Sequence, residues 1–252
     1  MKVARAMHLL EARDIHKSFG TVYALRGVDF HVNYNEIVGL VGDNGAGKST
    51  LIKILSGVFP PDRGEIYFKG EKIKKLTVQK ARELGIVTVF QERALVERQP
   101  LWRNIFLGRE LTNKAGFLKV SEQKMETEKL MKTIGYTSEA VTPDAIVKYM
   151  SGGEKQGVAI ARALYFNAEL IILDEPTVGL SLSETQKVLN FVKEIKQRGK
   201  SCIFITHNIY HVYPVADRFV VLDRGKCVAE FFKEEVTLDV LSDKLIAIAK
   251  GG

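Results

Sequence analysis

The sequence predicts an α/β fold in which a mixed sheet is crossed by helices and interrupted by a helical insertion. Three observations carry this. From Leu170 onward, short apolar strand patterns alternate with helical ones. A glycine-rich loop, Gly42 to Ser49, lies between the apolar run Ile37, Val38, Leu40, Val41 and the helical pattern Leu51, Ile52, Ile54, Leu55. From about residue 93 to 166 the strand patterns give way to helical ones.

Taken in order, the chain to about residue 41 reads as strands. Leu25 to Val32 partly alternates, and Glu36 to Val41 runs straight into the glycine-rich loop. After the loop helix, Pro60-Pro61-Asp62-Arg63-Gly64 is a turn signal, followed by a strand over Glu65 to Lys69. A short helix over Val78 to Leu84 precedes a strand over Ile86 to Phe90. Within the insertion, Ser121 to Ile134 is a polar, charged helix and Gly152 to Phe166 an apolar one. Leu170, Ile171, Ile172 and Leu173 then form a run suited to a strand buried on both faces. No internal repeat, low-complexity run or heptad stretch is present.

With 252 residues, 46% hydrophobic and 27% charged, the chain can bury a core of its own and reads as globular. A net charge of +7 admits acidic partners. The basic cluster Lys69, Lys72, Lys74, Lys75, Lys80 and Arg82 has no interleaved aromatic residues for stacking bases. It therefore reads as a solvated loop near a membrane surface, and no nucleic-acid partner is expected. Cys202 and Cys227 have no second Cys or His at metal-ligand spacing, and Cys202 falls in an apolar strand pattern, which fits a reducing compartment. Met7 to Leu10 is too short for a signal-peptide core, and nothing approaches the roughly 20 apolar residues of a membrane helix. The expectation is a cytoplasmic chain that does not itself cross a bilayer.

Three segments carry chemistry. Gly42, Asp43, Asn44, Gly45, Ala46, Gly47, Lys48 and Ser49 spell G-x-x-x-x-G-K-S between strand and helix. Such a loop curls so that backbone N–H groups face phosphate oxygens, and the following helix aims its positive end at the same anion. Lys48 would neutralise the β- and γ-phosphates, and Ser49 would offer its hydroxyl to Mg²⁺. At the end of the buried strand, Asp174 suits a metal's water shell. Pro176 is expected to push Glu175 into an extended conformation, from which it could reach a water poised to attack the γ-phosphate. Ser151, Gly152, Gly153 and Glu154 read as a capping box at the start of the apolar helix. Two glycines in a first helical turn weaken it by roughly 1 kcal/mol each, which makes sense if bare backbone must approach a ligand. This is a second anion site. Two such sites exceed what one ATP needs, so a head-to-tail pair is expected, each loop completed by the other chain's Ser151 turn.

On these residues the chain resembles an ATP-binding cassette ATPase over essentially its whole length. The resemblance implies a P-loop NTPase core with a mixed sheet, an N-terminal antiparallel β subdomain and an inserted helical subdomain. Residues 8–245 would form one domain, with 8–92 and 167–245 as catalytic core and 93–166 as helical subdomain. It makes Gly42 to Thr50 the Walker A segment, Asp174 the Walker B carboxylate, and Glu175 the catalytic base or at least the residue that positions the attacking water. Gln91 becomes a metal contact linking core and helical subdomain. Met150 to Gln156 matches the signature motif. His207 matches the residue that senses the γ-phosphate, and Phe19, in Lys17-Ser18-Phe19-Gly20, the aromatic that stacks on adenine. The implied cofactors are ATP and Mg²⁺. The signature opens with Met150 where Leu is usual and carries Glu154 where Gln is commoner. Val178-Gly179-Leu180-Ser181 stands where many cassettes end in Asp, so the contact that couples the two sites is expected to be either weaker or differently made.

Gly57 to Glu65, the segment at Gln91, and Arg103 to Glu110 are similar to monosaccharide importers of the ribose, xylose, galactose and fructose type. Many of those hold two cassettes in one polypeptide; this chain has room for one. The resemblance implies a homodimer under two permease subunits, peripheral at the cytoplasmic face of the membrane and fed indirectly by a solute-binding protein. Residues including Leu95, Val96, Leu101 and Trp102 would help receive the permease. A chromosome-maintenance ATPase would need a long coiled coil that is absent here. The alternative is a soluble single-cassette ATPase, as in iron–sulfur assembly.

Overall fold

The computed structural model describes residues 8–91, 94–137, 141–166 and 168–250. The short N-terminal apolar run that opens at Met7 starts outside them, and Glu92, Arg93 and Asn167 at the expected subdomain boundaries also lie outside them.

In chain order the elements are β1 (Leu10–Phe19), β2 (Val22–Val32), β3 (Ile37–Val41), α1 (Lys48–Leu55), β4 (Arg63–Phe68), β5 (Glu71–Lys72), α2 (Val78–Leu84) and β6 (Ile86–Val89). The insertion contributes α3 (Leu101–Phe106), α4 (Val120–Thr133) and α5 (Gly152–Tyr165). There follow β7 (Leu170–Asp174), α6 (Leu182–Gln197), β8 (Ser201–Thr206), α7 (Ile209–Val212), β9 (Arg218–Asp223), β10 (Lys226–Phe232) and α8 (Leu238–Ala249).

Two sheets result. The first, in the order β2-β1-β4-β5, is antiparallel throughout. The second runs β10-β9-β3-β8-β7-β6, and all its pairings are parallel except β9 with β10. The sheet is therefore mixed, as expected, with its antiparallel strand at the edge. A two-residue turn at Arg224 and Gly225 joins β9 to β10, which only an antiparallel pair allows.

Strand alternation in the six-stranded sheet divides the core in two. Val38, Leu40, Leu170, Ile172, Ile203 and Ile205 face a cluster shared with α1 and the antiparallel sheet. Ile37, Val41, Ile171, Leu173, Cys202 and Phe204 face the other cluster, shared with α3, α5 and α6. Every residue of β3, β7 and β8 is buried, so these strands have no polar face to offer water. The insertion thus extends one of the two cores.

A buried ion pair ties the two sheets together. Arg218, at the start of β9, is fully buried and donates from Nε to Glu36 Oε1 at 2.8 Å and from an Nη to the His31 carbonyl on β2 at 2.8 Å. Burial alone would raise the Glu36 carboxyl, but the Arg218 bonds and the Asn33 N–H outweigh it and hold it below the usual range. Both cysteines are protected thiols: burial holds Cys202 far above its ordinary range and, with Glu230 nearby, pushes Cys227 up to about 12.

Candidate nucleotide-binding site

The parallel register decides where the polar residues meet. Val41 at the end of β3 pairs with Thr206 of β8, Asp174 of β7 with Ile205, and Val89 of β6 with Leu173. The chain segments that leave these strands therefore emerge side by side at one sheet edge, where open α/β sheets bind ligands. They carry the glycine-rich loop, His207, Glu175 and Gln91.

The loop reaches α1 through Gly47, its N-cap, at φ +106°. A Cβ there would stand 2.7 Å from the Ala24 carbonyl oxygen, so glycine is required both by the conformation and by the close approach of β2. Lys48 is buried, and its Nζ donates to the carbonyls of Gly42 at 2.6 Å and Asp43 at 2.9 Å. Burial pushes this ammonium below its usual range, while Glu175, Asp174 and Asp43 pull it back up. Burial raises the Asp174 carboxyl, the negative Glu175 raises it further, and Lys48 opposes both.

A cleft of about 400 Å³ gathers most of the expected residues. Asn44, Gly45, Gly47, Lys48, Ser49 and Thr50 form one wall, while Gln91, Asp174, Glu175 and His207 form the other. Ser49, Gln91 and Asp174 thereby present hydroxyl, amide and carboxylate oxygens to one space, a hard-oxygen set suited to a small divalent cation. Gly42 and Asp43 line an adjoining cavity of about 440 Å³ beneath α8, and Ala46 is buried against the loop. Phe19 does not line the cleft; it is half-exposed and packs edge-on against Phe59 at 5.5 Å. Val22, Tyr23 and Ala24 line it instead, along with Val178. Tyr23 escaped the sequence reading, although an exposed tyrosine just past the Gly20 turn was the available signal. Ser151, Gly152 and Gly153 lie outside the cleft, with Ser151 and Gly152 exposed to solvent. The expected capping box is present: Ser151 Oγ accepts from the Glu154 N–H at 3.1 Å, and Glu154 Oε2 accepts from the Ser151 N–H at 2.8 Å.

Glu175 departs from expectation. Its φ is +49°, in the left-handed region rather than the extended one. The Glu175 N–H continues the β-ladder to Ile205 O at 3.0 Å, and the chain then turns sharply. That turn brings Oε1 to the His207 N–H at 3.1 Å and to His207 Nδ1 at 2.8 Å. A non-glycine residue held this way costs on the order of 1–3 kcal/mol and persists only where its surroundings impose it. Here they are the ladder bond and His207. Glu175 Oε2 is buried without a hydrogen-bond partner, an orphaned acceptor facing a charged site. Chemically the site can bind a polyphosphate at the loop, hold a cation opposite Lys48, and orient a water at Glu175.

Comparison with known proteins agrees with this geometry. The family described as ABC transporter matches residues 25–178. The chain belongs to that family. It is an ATP-binding cassette ATPase. Among its relatives, the xylose/arabinose import ATP-binding protein XylG of Sulfolobus acidocaldarius is 46% identical over 96% of both chains. The ribose import ATP-binding protein RbsA of Caldanaerobacter subterraneus is 37% identical over 94% of this chain, which spans only 47% of that relative's length. A dimeric cassette, MJ0796, solved in a post-hydrolysis state with ADP and Pi, superposes with a TM-score of 0.77 at 25% identity over 89% of this chain and 98% of that one.

The raised Asp174 carboxyl has a consequence for stability. Its charge penalises the fold at every pH above the unfolded value, and the penalty disappears as pH falls. Asp174→Asn is therefore expected to raise the Tm of the nucleotide-free chain by roughly 2–4 °C, the shift that about 1 kcal/mol makes at this size. The same change should weaken metal-dependent nucleotide binding. A Tm at or below that of the parent, by calorimetry, contradicts the assignment.

Proposed function

We propose that the chain is the ATP-hydrolysing subunit of an importer for a simple sugar, acting as a pair of copies beneath a separate membrane permease. One observation carries the pairing: the Ser151 turn, a helix start with Ser151 and Gly152 exposed to solvent, lies outside its own chain's cleft. A second copy, arranged head to tail, would let that turn meet the other copy's terminal phosphate. The dimeric state of the MJ0796 cassette supports the same arrangement.

In this reading Lys48 and the loop N–H groups bind the β- and γ-phosphates. Phe19 and Tyr23, exposed at the β1–β2 turn, offer aromatic faces to the adenine. Ser49, Gln91 and Asp174 hold Mg²⁺, which supplies charge neutralisation at the phosphates when bound; the orphaned Glu175 oxygen and the raised Asp174 carboxyl both fit a cation nearby. Glu175 takes the proton of the attacking water, and His207 fixes that carboxylate through its N–H and ring while facing the γ-phosphate. Catalysis then rests on positioning and charge, as is general for phosphoryl transfer. Residues 8–92 and 167–245 serve as the catalytic core, and 93–166 as the helical subdomain that meets the permease.

The sugar is suggested by the relatives' names, which specify xylose, arabinose and ribose import and so favour the importer over a soluble scaffold ATPase. No described helix is long and apolar enough to cross a membrane. We place the chain at the cytoplasmic face of the membrane, held there by the permease, with a solute-binding protein acting through it.

Glu175→Gln is expected to bind ATP as the parent does, to lose at least about 100-fold in permease-coupled hydrolysis, and to accumulate as a dimer in ATP. Turnover within a few fold of the parent removes Glu175 from the role. Reconstitution with a cognate permease and its solute-binding protein tests the transport reading. Pentose-loaded or hexose-loaded binding protein should raise the ATPase rate, and indifference to every sugar tested contradicts sugar import.

A further inference from the structure

Two helices in this chain begin with the same S-x-x-E box. In α5, Glu154 caps Ser151. In α6, Glu184 accepts from the Ser181 N–H and from Ser181 Oγ, each at 2.9 Å, and its own N–H is capped by Ser181 Oγ at 3.3 Å. Glu184 does more than close its own box. Its Oε1 accepts from Ser151 Oγ at 3.4 Å, and its carboxylate also accepts the Gly153 N–H. One carboxylate thus straddles two helix starts, using donors 33 positions apart in the chain. The four donors together, led by the Ser181 N–H, hold it below the usual carboxylate range.

The contact is close enough to fix the residue opposite. A Cβ on Gly153 would stand 1.9 Å from Glu184 Oε1. The same residue is held at its carbonyl too, because Tyr136 donates its hydroxyl to the Gly153 carbonyl at 2.6 Å. Lys187, one turn beyond Glu184 on α6, lies 4.4 Å over the Tyr136 ring. The start of α5 is therefore gripped by α6 directly and through Tyr136.

The donors that Glu184 occupies, Ser151 Oγ and the Gly153 N–H, are those of the second anion site. We infer that Glu184 fills this site within its own chain until the terminal phosphate of the partner copy's nucleotide displaces it. The inference rests on the paired-copy reading above. A carboxylate and a phosphate compete for the same helix start because both are anions seeking the same N–H groups. Displacement leaves Glu184 bonded to Ser181 alone and loosens the link between α5 and the segment from Glu175 to Ser181. That segment includes Val178 in the cleft wall and Thr177, whose hydroxyl meets His211 Nδ1 at 2.9 Å. Arrival of one copy's nucleotide would thereby reach the other copy's Glu175 segment without a carboxylate at position 181, where this chain has serine.

The test measures the ATP concentration at which half of the protein is dimeric, by light scattering, in a Glu175→Gln background. Glu184→Gln removes the competing charge while keeping a cap acceptor for Ser181. Glu184→Asp keeps the charge and the cap but is one methylene too short to reach Ser151. Both are expected to lower the half-point at least threefold, with the ATP affinity of dilute monomer, by calorimetry, within twofold of the background. A residue serving only as a helix cap would leave the half-point unchanged or raise it, and either result in either variant overturns the inference. If the background protein itself fails to dimerise at saturating ATP, it is the paired-copy reading that fails.

Discussion

The structure depends on the parallel hydrogen-bond register of β6, β7, β8 and β3. Because Val41, Thr206, Asp174 and Val89 end their strands nearly level, four loops distant in sequence open onto one edge. A one-residue slip of β7 would move Ile171 and Leu173 from one core to the other and turn Asp174 away from Lys48. Close packing on both faces of β3, β7 and β8 opposes the slip, since each displaced side chain would have to fit a space shaped for another. The site inherits its precision from the core.

Held in that frame, the site is electrostatically unbalanced. Lys48, Asp174 and Glu175 are drawn out of water, and burial works against the charge of Lys48 and Asp174. Lys48 satisfies its donors on the carbonyls of its own loop, and Glu175 leaves one buried oxygen unpaired. A polyphosphate with its cation supplies what each group lacks: anionic oxygens for Lys48 and positive charge for the carboxylates. The left-handed turn at Glu175 belongs to the same pattern, with local strain accepted so that a carboxylate faces His207.

Much of this was legible in the sequence, for identifiable reasons. The glycine-rich loop, the buried strand ending in Asp174 and the capping box at Ser151 depend on local spacing, and each was found where expected. Glu175 was misread because the proline rule disfavours one backbone region without choosing among the rest, and a ladder bond to Ile205 with two contacts to His207 made the choice. Tyr23 and Val178 were missed because their place in the cleft comes from the packing of β2 and the turn before α6 around it. Nothing along the sequence singles out Glu184, since its second set of donors lies in a different part of the chain. Contacts across the fold, rather than along it, were what the sequence concealed.

The central claim is that one copy holds only half of each hydrolytic pocket, with the phosphate loop in one chain and the Ser151 turn supplied by another. The most direct measurement is the ATPase rate per chain at saturating MgATP over a dilution series that spans the monomer–dimer transition, with oligomeric state recorded at each concentration. The account predicts that the rate per chain falls in proportion to the dimer fraction and vanishes in dilute monomer. A rate per chain that stays constant into strictly monomeric protein would contradict it.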